Sequence, residues 1–251
     1  MPLAAKTSRA DLESLLRTRQ LDRTLTTSLP AVAHDAAPTA IGALDARLGG
    51  GFPRGQVSEL VGARSSGRTS VMLQMLAAAT ARGELVALVD ALDMFDVESA
   101  AAAGVDLDRL LWIRGHVVTN PGMCRDMNQR ALEQALRAFT LVLQAGNFGL
   151  VVFDVAEAPS IAIKRLPFTT WLRLQRMVEG RQTICLLVGS EPMARSSAGL
   201  TVKCGLRIED CGFRFSDRLF DGLNIDANVI ESRLTNHESR HVRVPLQTTC
   251  A

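Results

Sequence analysis

Residues Val57 to Arg82 constrain the fold more than any other stretch, because they read strand, glycine loop, helix without interruption. Val57-Ser58-Glu59-Leu60-Val61 is an apolar-rich run of strand length. Gly62-Ala63-Arg64-Ser65-Ser66-Gly67-Arg68-Thr69 breaks it, and Ser70 to Arg82 is rich in the helix formers Leu, Met and Ala. The loop carries the spacing G-x-x-x-x-G-K-[ST] at every fixed position but one, since Arg68 stands where lysine belongs. In such a loop the glycines let backbone N–H groups close around phosphates at a helix N-terminus. The lysine reaches the β- and γ-phosphates as a compact charge and the hydroxyl holds magnesium. Arginine presents a planar fork on a bulkier head, so it is not an equivalent replacement. Gly62, Ser66, Gly67, Arg68 and Thr69 therefore have the form of a phosphate cradle whose key cation is altered.

Around this unit, apolar strands alternate with helical patterns. Gly83 is placed to stop the loop helix. Leu85 to Asp90, Leu110 to Arg114, Leu150 to Asp154 and Thr183 to Gly189 read as buried strands. Phe95 to Ala103, Met123 to Gln144 and Pro167 to Glu179 read as helices. The alternation predicts an α/β fold with a mostly parallel sheet and crossover helices. From Thr201 onward the pattern turns to β: Val202 to Glu209, Asn228 to Arg233 and His241 to Val244 are expected as antiparallel strands closing one edge. At the other end, Ser8 to Gln20 opens with Ser8-x-x-Asp11 and places Leu12, Leu15 and Leu16 on one face of a short helix. Thr24 to Pro38 is rich in Thr, Ala and Pro and reads as a linker. The expected organisation is an arm over residues 1–38 and a core domain over residues 39–251.

Composition narrows the class. A chain of 251 residues with 47% hydrophobic and 22% charged residues can bury a sizeable core. No apolar run is long enough to span a bilayer and no signal pattern opens the chain, so a cytoplasmic location is expected. Cys124, Cys185, Cys204, Cys211 and Cys250 are odd in number and form no C-x-x-C, which reads as reduced thiols, neither a disulfide frame nor a zinc site. The net charge of +2 says nothing about partners, but of 28 basic residues only Lys6, Lys164 and Lys203 are lysines. Codon bias toward arginine and phosphate recognition both account for that.

From about Thr39 to Leu246 the chain resembles the ATPase core of the RecA recombinases. The residues that carry the resemblance are Ala43-Leu-Asp-Ala-Arg-Leu-Gly-Gly-Gly-Phe-Pro-Arg-Gly-Gln-Val-Ser-Glu-Leu-Val-Gly and Asp96-Val-Glu-Ser-Ala-Ala-Ala-Ala-Gly-Val-Asp-Leu-Asp-Arg-Leu-Leu. It implies a RecA-like core without the family's separate C-terminal domain, and an N-terminal arm that packs on a neighbouring subunit. It also marks three departures. Arg68 replaces the phosphate lysine. Leu92 stands where the family carries a water-polarising glutamate, and leucine cannot accept a proton. Ser190 stands where a glutamine senses the γ-phosphate, in a segment that is shortened. Asp93, beside Leu92, could serve as a base only if its loop shifted. Asp154 matches the magnesium-side aspartate, although an aspartate at a strand end is also a common cap. The departures imply a degenerate ATPase: no catalytic residue and no required cofactor, with ATP and magnesium bound weakly at most.

A degenerate relative of this size is similar to the ImuA group of RecA-like accessory proteins in bacterial inducible mutagenesis. The similarity implies as partners an ImuB-like Y-family polymerase relative, an error-prone C-family polymerase and RecA, together with DNA, and so a nucleoid-associated adaptor of translesion synthesis in the SOS response. A slow DNA-dependent ATPase or recombination mediator using Arg68, Thr69 and Asp154 is the alternative, and an inhibitory decoy docking its arm on RecA filaments is compatible with the first. In RecA relatives the span after Asp154 meets single-stranded DNA, which makes Lys164, Arg165, Arg173, Arg176 and Arg195 candidate DNA contacts. Arg173 and Arg176 share a helix face opposite Trp171, Leu174 and Val178, so a solvated face accounts for them equally. His237-Glu238-Ser239-Arg240-His241 matches H-E-x-x-H letter for letter but falls between two β-like runs. A zinc site needs that motif on a helix with a third ligand, so no metal site is expected.

Overall fold

The computed structural model describes residues 35–115, 125–194, 199–205, 223–231 and 240–246. The expected arm residues Leu12, Leu15 and Leu16, with Arg195 and His237, lie outside the described residues.

Among the described residues ten strands form, in chain order β1 (Ala36–Ala37), β2 (Phe52–Pro53), β3 (Val57–Gly62), β4 (Val86–Asp90), β5 (Leu110–Arg114), β6 (Leu150–Asp154), β7 (Ile184–Gly189), β8 (Leu200–Gly205), β9 (Leu223–Glu231) and β10 (Arg240–Leu246). β1 and β2 make a small antiparallel ladder, and the other eight form one sheet in the order β10-β9-β8-β3-β7-β6-β4-β5. The six strands from β8 to β5 run parallel, with β9 and β10 antiparallel beside them. The helices are α1 (Gly42–Arg47), α2 (Arg68–Ala81), α3 (Val97–Ala102), α4 (Arg125–Ala145), α5 (Ser160–Lys164) and α6 (Phe168–Val178).

Period-two alternation sends the side chains of the central parallel strands into two cores. Leu60, Leu88, Val152 and Leu186 meet Val71, Met72, Met75 and Leu76 of α2 on one face. Val89, Val151, Phe153 and Leu187 meet Leu132, Phe139 and Leu143 of α4 and Trp171, Leu174 and Val178 of α6 on the other. Two covered faces explain why β4, β6 and β7 are apolar along nearly their whole length. Among the described residues no helix is long and apolar enough to cross a membrane.

The structure adds three details. The strand expected from Val202 runs over β8, which pairs parallel with β3 and antiparallel with β9, so the antiparallel edge begins at the β8–β9 pair. The short connection from β7 crosses β3, and buried Glu59 of β3 anchors it by accepting hydrogen bonds from the Met193 and Ala194 N–H groups, both at 2.7 Å, and from Thr201 Oγ1 at 2.9 Å. The linker expected to reach Pro38 ends earlier, because Ala36 and Ala37 pair with Pro53 and Phe52. The glycine-rich approach to β3 contains helix α1, whose single buried leucine, Leu44, is too little for a periodic signal.

Candidate functional site

β3 delivers the chain into the loop at Gly62, where an added Cβ would lie 2.3 Å from Ser66 Oγ and 2.7 Å from the Cys204 carbonyl oxygen. Only glycine fits. The loop reverses through Ser65 and Gly67, whose φ values of 59° and 83° are left-handed. Gly67 then caps α2 without a side-chain hydrogen bond. The helix opens into a cleft of about 800 Å³, bordered by loop residues 64–70, the ends of β4 and β6, and α3. Gly67, Arg68, Thr69, Ser66 and Asp154 all line it, while Gly62, the other expected cradle residue, ends β3 outside that lining. Thr69 is exposed there; Ser66 is buried and its hydroxyl has no protein partner.

Arg68 does not point its charge at open space. Its side chain is 6% exposed, Nη2 donates to Glu157 Oε1 at 2.8 Å, and Nη1 donates to the Gly62 carbonyl oxygen. Arg64, exposed on the loop, brings Nε to 3.9 Å from the other oxygen of Glu157. Glu157 was not singled out by the sequence. It lies 89 residues from Arg68, and only the sheet order, which sets the turn after β6 beside the loop, brings them together.

The two strand-end carboxylates are adjacent, since Asp90 and Asp154 are register partners. Asp90 Oδ2 accepts from the Phe95 N–H at 2.7 Å, and Asp154 Oδ1 accepts from the Ala156 N–H at 2.9 Å. Burial pushes the Asp154 carboxyl up to about 6; the Ala156 N–H and the Arg68 charge oppose this, while the Asp90 and Glu157 charges add to it. Leu92 lines the cleft. Asp93 does not take its place: both its oxygens accept from Arg114, at 2.7 Å each, and that pairing holds its carboxyl below the usual range. Arg114 in turn lies 4.7 Å over the Trp112 ring. Ser190 faces elsewhere, lining a pocket of about 110 Å³ with Lys164, Trp171 and Met193.

The cleft is bordered by both acidic and basic side chains. Asp90, Asp96, Asp154 and Glu157 border it against Arg64 and Arg68 alone, and Arg68 is already bound to two internal acceptors. No group of three or more His, Cys, Asp or Glu side chains among the described residues is arranged to hold a metal. His241 lies in β10, opposite Asn228, on a strand where the zinc motif requires a helix.

Of the DNA candidates, Arg165, Arg173 and Arg176 are exposed, and Trp171 is core at 3% exposure. Lys164 pairs with Glu191 at 3.3 Å, both well exposed.

The RecA N-terminal domain family matches residues 27–162. Protein RecA of Salinispora tropica is 39% identical over 130 residues, covering 51% of this chain and 33% of the relative. Protein RecA of Acholeplasma laidlawii is 36% identical over 125 residues, covering 49% and 34%. The matched stretch thus spans about a third of the length of these curated relatives. Among solved structures, a KaiC-like protein from Pyrococcus horikoshii OT3 superposes with a TM-score of 0.56 at 18% identity, covering 84% of this chain and 94% of that one, a likeness of fold.

Proposed function

The chain belongs to the RecA family, and from that premise we propose that it is a non-catalytic RecA-fold adaptor in DNA damage tolerance, akin to the ImuA group. The observation that carries this reading is Arg68, buried and bonded to Gly62 and Glu157 within the cradle it would otherwise offer to phosphates. Leu92 in the cleft wall, Asp93 locked by Arg114, and Ser190 in a different pocket support it. An ATPase needs cation, base and sensor together, because each acts on the same transferring phosphoryl group. On this reading the chain works through surfaces. It binds an ImuB-like Y-family polymerase relative, an error-prone C-family polymerase and RecA, and it contacts DNA through the exposed arginines of α6.

The slow-ATPase reading keeps one observation in its favour: Thr69 and Asp154 both still line the cleft. Single-turnover ATP hydrolysis, with and without DNA, separates the two. Wild type and Arg68→Lys are expected at background, since the second leaves Leu92 in the base position. Arg68→Lys with Leu92→Glu is the variant in which turnover has a base to use. Clear turnover by wild type would favour the enzyme.

A further inference from the structure

The turn after β6 is built more firmly than a surface turn requires. The Val155 N–H donates to Val188 O at 3.0 Å, the Ala158 N–H donates to Val155 O at 2.9 Å, and the Asp154 carboxylate holds the Ala156 N–H. Val155 and Ala158 are buried on either side of Glu157. The backbone that carries Glu157 is thus fixed, while its carboxylate, 30% exposed, reaches over the loop and meets both loop arginines. Each oxygen faces a different guanidinium. A phosphate entering the loop would compete for those same donors, with the same sign of charge and the same acceptor chemistry.

We propose that Glu157 is an internal anion that occupies the cationic side of the cradle and excludes phosphate, so that the loop is self-liganded. Asp154 is then a positioning residue: the carboxylate expected beside magnesium instead shapes the turn that presents Glu157. The proposal builds on the non-catalytic reading but concerns binding alone. A phosphoryl ligand must displace Glu157 from Arg68, and Asp90, Asp96 and Asp154 remain nearby to repel it. Removing the Glu157 charge leaves Arg68 with Gly62 O as its remaining acceptor and frees Arg64.

The test is calorimetric titration of the full chain with inorganic tripolyphosphate, and separately with ATP, each with and without magnesium. The proteins compared are wild type, Glu157→Gln, Glu157→Asp and the double variant Glu157→Gln with Arg68→Gln, with folding checked by circular dichroism. Wild type is expected to bind tripolyphosphate weakly and Glu157→Gln at least tenfold more tightly. Glu157→Asp, which keeps the charge on a shorter stem, should stay within threefold of wild type and serves should the glutamine variant fold poorly: a tenfold gain there would overturn the charge-based exclusion. The gain should vanish in the double variant. Equal binding by wild type and Glu157→Gln overturns the proposal, as does a gain that survives loss of Arg68. Turnover by Glu157→Gln would overturn the non-catalytic reading and leave the internal anion standing; absence of a binding gain does the reverse.

Discussion

Arginine keeps the charge of the lysine it replaces and changes its reach, its shape and the number of acceptors it demands. At position 68 those demands are met inside the protein. The substitution was legible in the sequence; its consequence was not, because Glu157 belongs to a turn that only the sheet order brings near. Asp154 shows the same division: its place at a strand end could be read, but its half-buried position beside Asp90 could not. The Asp154 carboxyl rises from an ordinary 3.8 to about 6, so the folded chain holds more protons than the unfolded one between those values. Stability contributed by this group is therefore greatest at low pH and falls as pH rises through that window, by at most ~3 kcal/mol. Asp154→Asn keeps an acceptor for the Ala156 N–H and removes the half-buried charge. It should raise Tm at pH 7 by several degrees, at roughly 2–4 °C per kcal/mol for a domain of this size. The difference from wild type should shrink toward zero near pH 4. Thermal melts from pH 4 to 8 check this, and a lower Tm at pH 7 would mean that Arg68 stabilises the ionised form more than burial opposes it.

Elements long enough to show a period were readable, and short ones were not. β5 and β6 match the expected bounds at both ends, and α4 and α6 match within two residues, because an apolar run or a 3.6-residue stripe reports its own burial. α1 and α5, at six and five residues, carry too little pattern. The direction of β8 is absent from its composition, since a strand's sense depends on the connection that leads to it. α6 is where an element-scale prediction belongs. Its buried stripe of Trp171, Leu174 and Val178 was legible, and the opposite face leaves Arg173 and Arg176 exposed. If that face tracks phosphates, Arg173→Glu with Arg176→Glu should weaken binding to all single-stranded sequences alike. It should also flatten the salt slope by about 0.7 per lost contact. Fluorescence anisotropy at several salt concentrations measures both. Unchanged binding with an intact fold would return the pair to the role of a solvated face.

At the scale of the whole molecule, the boundary between arm and core decides what a truncation tests. Asp35 O accepts from the Arg54 N–H at 2.9 Å, Ala37 is 1% exposed against Phe52, and Gly51 approaches Ala37 so closely that a Cβ there would lie 2.0 Å from its carbonyl oxygen. Residues 35–38 therefore belong to the core, although their Ala and Pro content reads as linker. Removing residues 1–34 is expected to leave Tm within about 2 °C of the full chain. Removing residues 1–37 should lower it further, since each ladder hydrogen bond contributes about 1 kcal/mol and the Ala37 contact is lost as well. Both truncations, and Leu12→Asp with Leu16→Asp, should reduce association with RecA if the arm docks there, as the resemblance implies. Burying three leucines contributes at about 1.5–3 kcal/mol each before ordering costs, enough for a modest contact and not an obligate one. A pull-down and a melting curve on the same four proteins separate the outcomes. Full retention of RecA binding by the 1–34 deletion would remove the arm from the docking role, and a large fall in its Tm would make the arm part of the folded body.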